Sequence, residues 1–182
     1  MAAYAADDRR AFDTLFTRLS GRVHGFFLRS FFDSAIADDL LQATFLKLHR
    51  ARAQYQRDLP FRPWLFTIAA RVRLDELRRR YRLAEDGDEE LMAKADEAQA
   101  MASDSAGEAG RTDLQEAVRA ALARLPESQR MVVHLHRYEG MTFPEIAKVL
   151  STTEGAVKLR AFRAYETLRE SLKDLVAKGE AA

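Results

Sequence analysis

Lys158, Arg160 and Arg163 put three cations on one short stretch that reads as a helix. Lysine and arginine neutralise phosphates, and arginine can grip guanine through two acceptors in the major groove. The stretch closes a pattern of short helix, three-residue turn and longer helix, which is a helix-turn-helix. Thr142, Phe143, Pro144 and Glu145 form a capping box with proline in the first turn. Ile146, Ala147, Val149 and Leu150 line the inner side of the first helix, and Ala147 is small enough for a helix crossing. Ser151, Thr152 and Thr153 make the turn, Thr153 caps the second helix, and Val157 supplies its inward apolar residue. An ordinary helical hairpin with a solvated basic face fits each feature almost as well. The capped start, the small crossing residue and the basic second helix together favour DNA.

Glu154 and Gly155 fall in the first turn of that second helix. Glycine costs roughly 1 kcal/mol against alanine in a helix, so its presence suggests close approach to a sugar-phosphate backbone. Lys158 is then assigned to phosphate, Arg160 to base edges, and Arg163 to either.

A second cluster is basic and aromatic. Arg71, Asp75, Arg78 and Arg82 fall on one side of a helix, with Arg73, Arg79 and Arg80 nearby. Asp75 lies four residues after Arg71 and three before Arg78, so its expected job is to hold those arginines. Tyr55, Phe61, Trp64 and Phe66 precede them. Aromatic rings stack on unpaired bases while arginines hold backbone, which suits single-stranded or melting DNA. Trp64 reads better as core, whereas Tyr55 and Arg57, in a loop, are better placed to meet bases. A third group, Asp38, Asp39, Gln42 and Thr44, is polar among Leu41, Phe45 and Leu48. Chemistry alone favours a plain solvated helix face there.

The elements that must position these groups are helices. Phe12, Leu15, Phe16, Leu19 and Val23 recur at helical spacing and continue through Phe26 and Phe27. Asp33 and Ser34 break the pattern and offer an N-cap. Ile36, Leu40, Leu41, Phe45 and Leu48 form a second stripe, and Phe61, Trp64, Leu65, Ile68 and Val72 a third. Leu114, Val118, Ala121, Leu122 and Leu125 begin the second half, Pro126 opens another helix, and Gly140 suits a left-handed cap. With four prolines, eight glycines and almost no strand-like alternation in 182 residues, an all-α fold is expected.

The net charge of +1 hides a segregation. Residues 82–113 carry three positive and ten negative side chains, net −7, so the rest carries +8. That acidic stretch has few large apolar residues and reads as a linker, with a short helix over residues 89–101 as one option. The expected organisation is a helical domain over 1–82, an acidic flexible linker over 83–112 and a second helical domain over 113–182. There is no cysteine, which excludes disulfides and thiolate metal sites. The first twenty residues are too polar for a signal peptide, and no apolar run approaches a membrane span of about 20 residues. A cytoplasmic protein without membrane insertion is expected.

Nearly the whole chain resembles an extracytoplasmic-function RNA polymerase sigma factor of the sigma-70 family. Asp39, Leu40, Gln42 and Phe45 match its DL-x-Q-x-x-F-like segment. Phe61, Arg62, Trp64, Leu65, Phe66, Ile68 and Ala69 match F-R-x-W-L-F-x-I-A, and Asp75, Arg78 and Arg79 match D-x-x-R-R. Leu125, Pro126, Arg130 and Val132 match L-P-x-x-x-R-x-V, and Glu154, Gly155, Val157, Lys158 and Arg160 match E-G-x-V-K-x-R. The resemblance implies two domains, sigma region two as a helical bundle and sigma region four as a helix-turn-helix. It implies that Asp38, Asp39, Gln42 and Phe45 dock on the clamp helices of the polymerase largest subunit. It implies that this part recognises and melts the minus-ten element, for which Tyr55, Arg57, Phe61, Arg71, Arg78 and Arg79 are the candidate contacts. Thr153, Glu154, Lys158, Arg160 and Arg163 then meet the minus-thirty-five element, with region four on the flap of the second-largest subunit. An anti-sigma factor is a further expected partner; no cofactor, metal or catalytic residue is implied. Five positions depart from the pattern. Ala70 and Arg71 stand where Arg-Asn is usual, Ser151 replaces the turn glycine, Leu159 a polar residue and Phe162 a histidine. These bear on promoter preference.

Two other classes compete. An enzyme would need a site, but His24, His49, His134 and His136 are the only histidines, and the last two, two apart, point apart on a helix. They read as surface or boundary residues, and no phosphate loop or nucleophile-base pair is present. A helix-turn-helix regulator acting without promoter melting would not need the Gln42 and Phe45 helix, and promoter-directed transcription would exclude a sigma-mimicking adaptor that binds an anti-sigma factor.

Overall fold

A computed structural model describes residues 4, 9–56, 58–85 and 113–173. Among them there is no strand, as the sequence leads one to expect. The chain divides into two compact units, Met1–Ala100 and Met101–Ala182. Arg57, the residue 89–101 segment and nearly all of the acidic stretch lie outside the described residues.

The first unit is built from α1 (Arg9–Phe31), α2 (Ser34–Ala51), a 3-10 turn (Arg52–Gln54) and α3 (Phe61–Glu85). Only Phe32 and Asp33 join α1 to α2. Phe32 takes a left-handed conformation, φ 56°, and its N–H donates to Leu28 O at 2.7 Å, which closes α1. Asp33 then caps α2, its carboxylate accepting from Ile36 N at 3.0 Å. The three apolar stripes meet as expected. Phe26 packs edge-on to Phe27 at 5.2 Å and to Phe66 of α3 at 5.5 Å, with Val23, Leu48 and Leu65 also fully buried. Burial of each large side chain stabilises the unit by roughly 2–3 kcal/mol. Thr44 is buried on α2 without cost to its hydroxyl, which donates to Leu40 O at 2.8 Å.

The second unit holds α4 (Asp113–Arg124), α5 (Glu127–Val133), a π turn (His134–Tyr138), α6 (Phe143–Val149) and α7 (Glu154–Ser171). Leu125, Val133 and Ala164 form a core on which Leu122, Tyr165 and Leu168 pack. The π turn was not legible in the sequence. It draws His134, 4% exposed, into the interior with its ring 5.1 Å from that of Tyr138. His134 is therefore a core residue and not the surface or boundary histidine expected. Gly140 follows at φ 63°, the left-handed conformation its type suggests. Among the described residues no helix is long and apolar enough to cross a membrane, and no group of three or more His, Cys, Asp or Glu could hold a metal ion.

Candidate docking and nucleic-acid surfaces

Helix α2 buries Ala37, Leu40, Thr44, Phe45 and Leu48 and leaves Asp38, Asp39, Gln42 and Leu46 outside. Asp39, Gln42 and Leu46 repeat at three- and four-residue spacing, so they share one stripe. Asp38 stands beside it, its Oδ1 3.3 Å from His24 Nε2. Phe45 departs from the surface role the resemblance gave it. It is 5% exposed, with the rings of Phe16 at 4.9 Å and Phe12 at 6.1 Å against it. Helical phase explains this: Phe45 lies in line with Leu41 and Leu48, not with Asp39. Its part is to seat the helix that carries the polar stripe. Leu46, 51% exposed, was missed. The signal was present, since it lies seven residues after Asp39.

The aromatic group ahead of α3 is a closed cluster. Tyr55 lies 5.7 Å from Phe61 and 5.2 Å from Trp64, and those two are 6.0 Å apart. The Tyr55 hydroxyl donates to Leu59 O at 2.6 Å, which ties the loop to itself. Tyr55, Phe61 and Trp64 are all half-buried, and the cluster holds their rings against one another.

Along α3 the basic residues separate into kinds. Arg71, Arg78, Arg79 and Arg82 are exposed. Arg73 is 5% exposed, its Nε donating to Ser30 Oγ at 3.0 Å and its guanidinium 5.9 Å from the Phe31 ring centre. Asp75 does not bridge Arg71 and Arg78 as spacing suggested. It pairs with Lys47 of α2. Glu76 is the arginine holder: it accepts from Arg79 Nε and Nη2, both at 2.8 Å, and from Arg80 Nε at 2.9 Å. Burial pushes the Glu76 carboxyl up, but hydrogen bonds and charge from Arg79 and Arg80 outweigh it and hold the group below its ordinary value. Leu74 and Tyr81 complete the outer face beside Arg71 and Arg78, and Tyr81 is 71% exposed. Neither was singled out in the sequence.

The helix-turn-helix is present in the second unit as its spacing suggests. Thr142 Oγ1 accepts from Glu145 N and the Glu145 carboxylate accepts from Thr142 N at 2.8 Å, so the capping box is closed. Ala147 and Val157 are buried where α6 meets α7. Ser151 sits at φ 50°, its N–H donating to Lys148 O at 3.3 Å, while Thr152 N donates to Ala147 O at 2.9 Å. Those paired bonds are a Schellman turn, which glycine usually serves. Thr153 caps α7 by accepting from Ala156 N at 3.2 Å. His136 stacks on Phe143 of α6 at 4.8 Å, with its Nδ1 3.1 Å from Tyr165 Oη of α7. One ring thus holds both helices to the π turn. Burial raises the Tyr165 hydroxyl above its ordinary value, opposed by the charge of Arg137. On α7 itself, Lys158 and Arg163 are exposed and Arg160 is half-buried; Lys158 Nζ lies 2.7 Å from Glu154 Oε1.

Comparison with known proteins places both units. Residues 15–83 match the model for Sigma-70 region 2, and residues 115–168 match that for Sigma-70, region 4. RNA polymerase sigma factor CarQ of Myxococcus xanthus is 39% identical over 165 residues, 91% of each chain. ECF RNA polymerase sigma factor SigM of Mycobacterium tuberculosis is 32% identical over 94% of this chain and 82% of its own. The structure of CnrH, solved in complex with the cytosolic domain of CnrY, aligns with a TM-score of 0.64 at 29% identity. The alignment covers 95% of this chain and 94% of that one.

Proposed function

The chain belongs to the sigma-70 family as an extracytoplasmic-function RNA polymerase sigma factor, and from that premise we infer how its surfaces divide the work. It binds RNA polymerase core and directs promoter-specific transcription initiation. The Asp38, Asp39, Gln42 and Leu46 surface of α2 docks on the clamp helices of the polymerase largest subunit. Arg71, Arg78 and Arg79, with Tyr55, Phe61 and Arg57, contact the minus-ten element as its strands part. Helix α7, with Thr153, Glu154, Lys158, Arg160 and Arg163, enters the major groove at the minus-thirty-five element while its unit rests on the polymerase flap. The residue 83–112 stretch joins two independently folded domains, 1–82 and 113–182.

In this role the chain positions DNA and polymerase and makes or breaks no covalent bond itself. It works where polymerase core is, in the cytoplasm. CnrH was solved with a protein partner, which supports an anti-sigma factor as a partner here.

The observation that carries the reading is the outward stripe of Asp39, Gln42 and Leu46 in a chain that also holds a helix-turn-helix. A free-standing regulator needs the second and has no use for the first. The test is run-off transcription with core polymerase on promoters of randomised sequence. Transcripts that need this chain are expected. Binding to a duplex operator without core, and no transcript with it, would favour a helix-turn-helix regulator.

A further inference from the structure

We propose that Leu159 and Phe162 read thymine methyl groups in the minus-thirty-five element, an inference that rests on α7 being the recognition helix. The buried stripe of α7 is Val157, Ala161 and Ala164. At about 100° per residue, the side opposite that stripe centres on Leu159, with Gly155, Phe162 and Glu166 close around it. Arg163 flanks this face on one edge and Lys158 on the other. Arg160 lies on the shoulder next to the buried stripe, half-buried. The middle of the face that would enter the groove is therefore apolar, and the cations stand at its margins.

Leu159 is 50% exposed and Phe162 62% exposed. One turn before Leu159, a Cβ added at Gly155 would meet nothing within 4 Å. The glycine therefore fills no packing need within its own unit. What it does is leave the start of the face bare, so that a groove can come close.

The occupant follows from chemistry. Among base edges in the major groove, only thymine presents an apolar group, its C5-methyl. Leucine and phenylalanine cannot hydrogen-bond, so a guanine or cytosine edge pressed against them would lose water without a replacement partner. Lys158 and Arg163, on either side, suit the phosphates that border a groove. Leu159 and Phe162 are separated by about 4.5 Å along the helix, near the base-pair rise of about 3.4 Å, so they reach neighbouring pairs. Arg160 then serves phosphate, and the discrimination first assigned to it passes to the apolar pair.

Deoxyuridine in place of thymine removes only the methyl, which gives a direct test. Holoenzyme made with the full chain is bound to a promoter it transcribes, with each minus-thirty-five thymine replaced singly by deoxyuridine. The expected result is an affinity loss of about three- to fivefold at two neighbouring positions, the worth of one buried methyl. Leu159→Ala should abolish the sensitivity at one position and Phe162→Ala at the other. Both side chains are exposed, so helix content and core binding should stay as they were. Wild-type holoenzyme indifferent to every replacement overturns the proposal, as do sensitivities that survive in both variants. Unchanged promoter affinity in the variants, with lost binding of a protein partner, assigns the face to protein and overturns it too. Because the promoter is one the holoenzyme already transcribes, these failures leave the sigma-factor reading standing. Absence of any dependent transcript is the separate failure of that reading.

Discussion

Lys47 of α2 and Asp75 of α3 meet in an ion pair, Nζ to Oδ2 2.9 Å, that ties two helices of the first unit together. Both side chains are about half exposed, so the pair is worth at most about 1 kcal/mol. Asp75→Asn should lower stability by less than that in urea melts, and the difference should shrink at high salt, where screening already weakens the pair.

Glu76 next to it should behave otherwise. Its side chain is only 10% exposed and accepts from two arginines. Glu76→Gln should cost about 1 kcal/mol, allowing for the exposure of Arg79. The sign with pH follows from the lowered carboxyl. Its contribution is complete above the unfolded value, roughly 4.3, and is lost as pH falls through the folded one. Melts of wild type and variant should differ at neutral pH and converge in acid. A gap that persists in acid would assign the cost to packing.

Asp39→Ala with Gln42→Ala should weaken core binding in a fluorescence titration and leave helix content alone, since both residues face solvent. Phe45→Ala should do the reverse. It opens a cavity between Phe12 and Phe16 and should cost about 3 kcal/mol of stability in the first unit. Core binding should fail only to the extent that the unit unfolds. Equal stability loss from both variants would put the polar stripe inside the fold.

The turn between α6 and α7 yields a pair of opposite signs. A non-glycine residue in the left-handed region costs about 1 kcal/mol, so Ser151→Gly should raise the midpoint of thermal unfolding of the second unit by several degrees. Thr153→Ala removes the acceptor for Ala156 N and should cost about 1 kcal/mol. Scanning calorimetry on the full chain reads both.

Helix identities, the capping box and the Thr153 cap were legible in the sequence because each depends on residues within four positions. So was the polar face of α2 at Asp38, Asp39 and Gln42, though Thr44, expected on it, is buried, as is Phe45. A family pattern marks that Phe45 recurs without saying whether it points out or in. Asp75 fails for a related reason. Spacing along α3 offers Arg71 and Arg78 as partners, but Lys47 comes from another helix, and no one-dimensional count contains it. Arg73 and His134 are buried by tertiary packing, which polarity alone argues against. The apolar centre of α7 was visible as two unusual residues, Leu159 and Phe162. Only the placement of the buried stripe shows that they stand in the middle of the outer face.

The π turn at His134–Tyr138 is equivalent to an α-helical turn with one extra residue inserted. Most helices cannot change length by one, because every later side chain would swing through about 100°. Here a deletion could be absorbed by the turn tightening to α geometry, with Gly140 still free to end it. The turn is thus a place where loss of a single residue need not disturb the helix-turn-helix that follows. Length differences among related chains should gather there before they appear anywhere in α6 or α7.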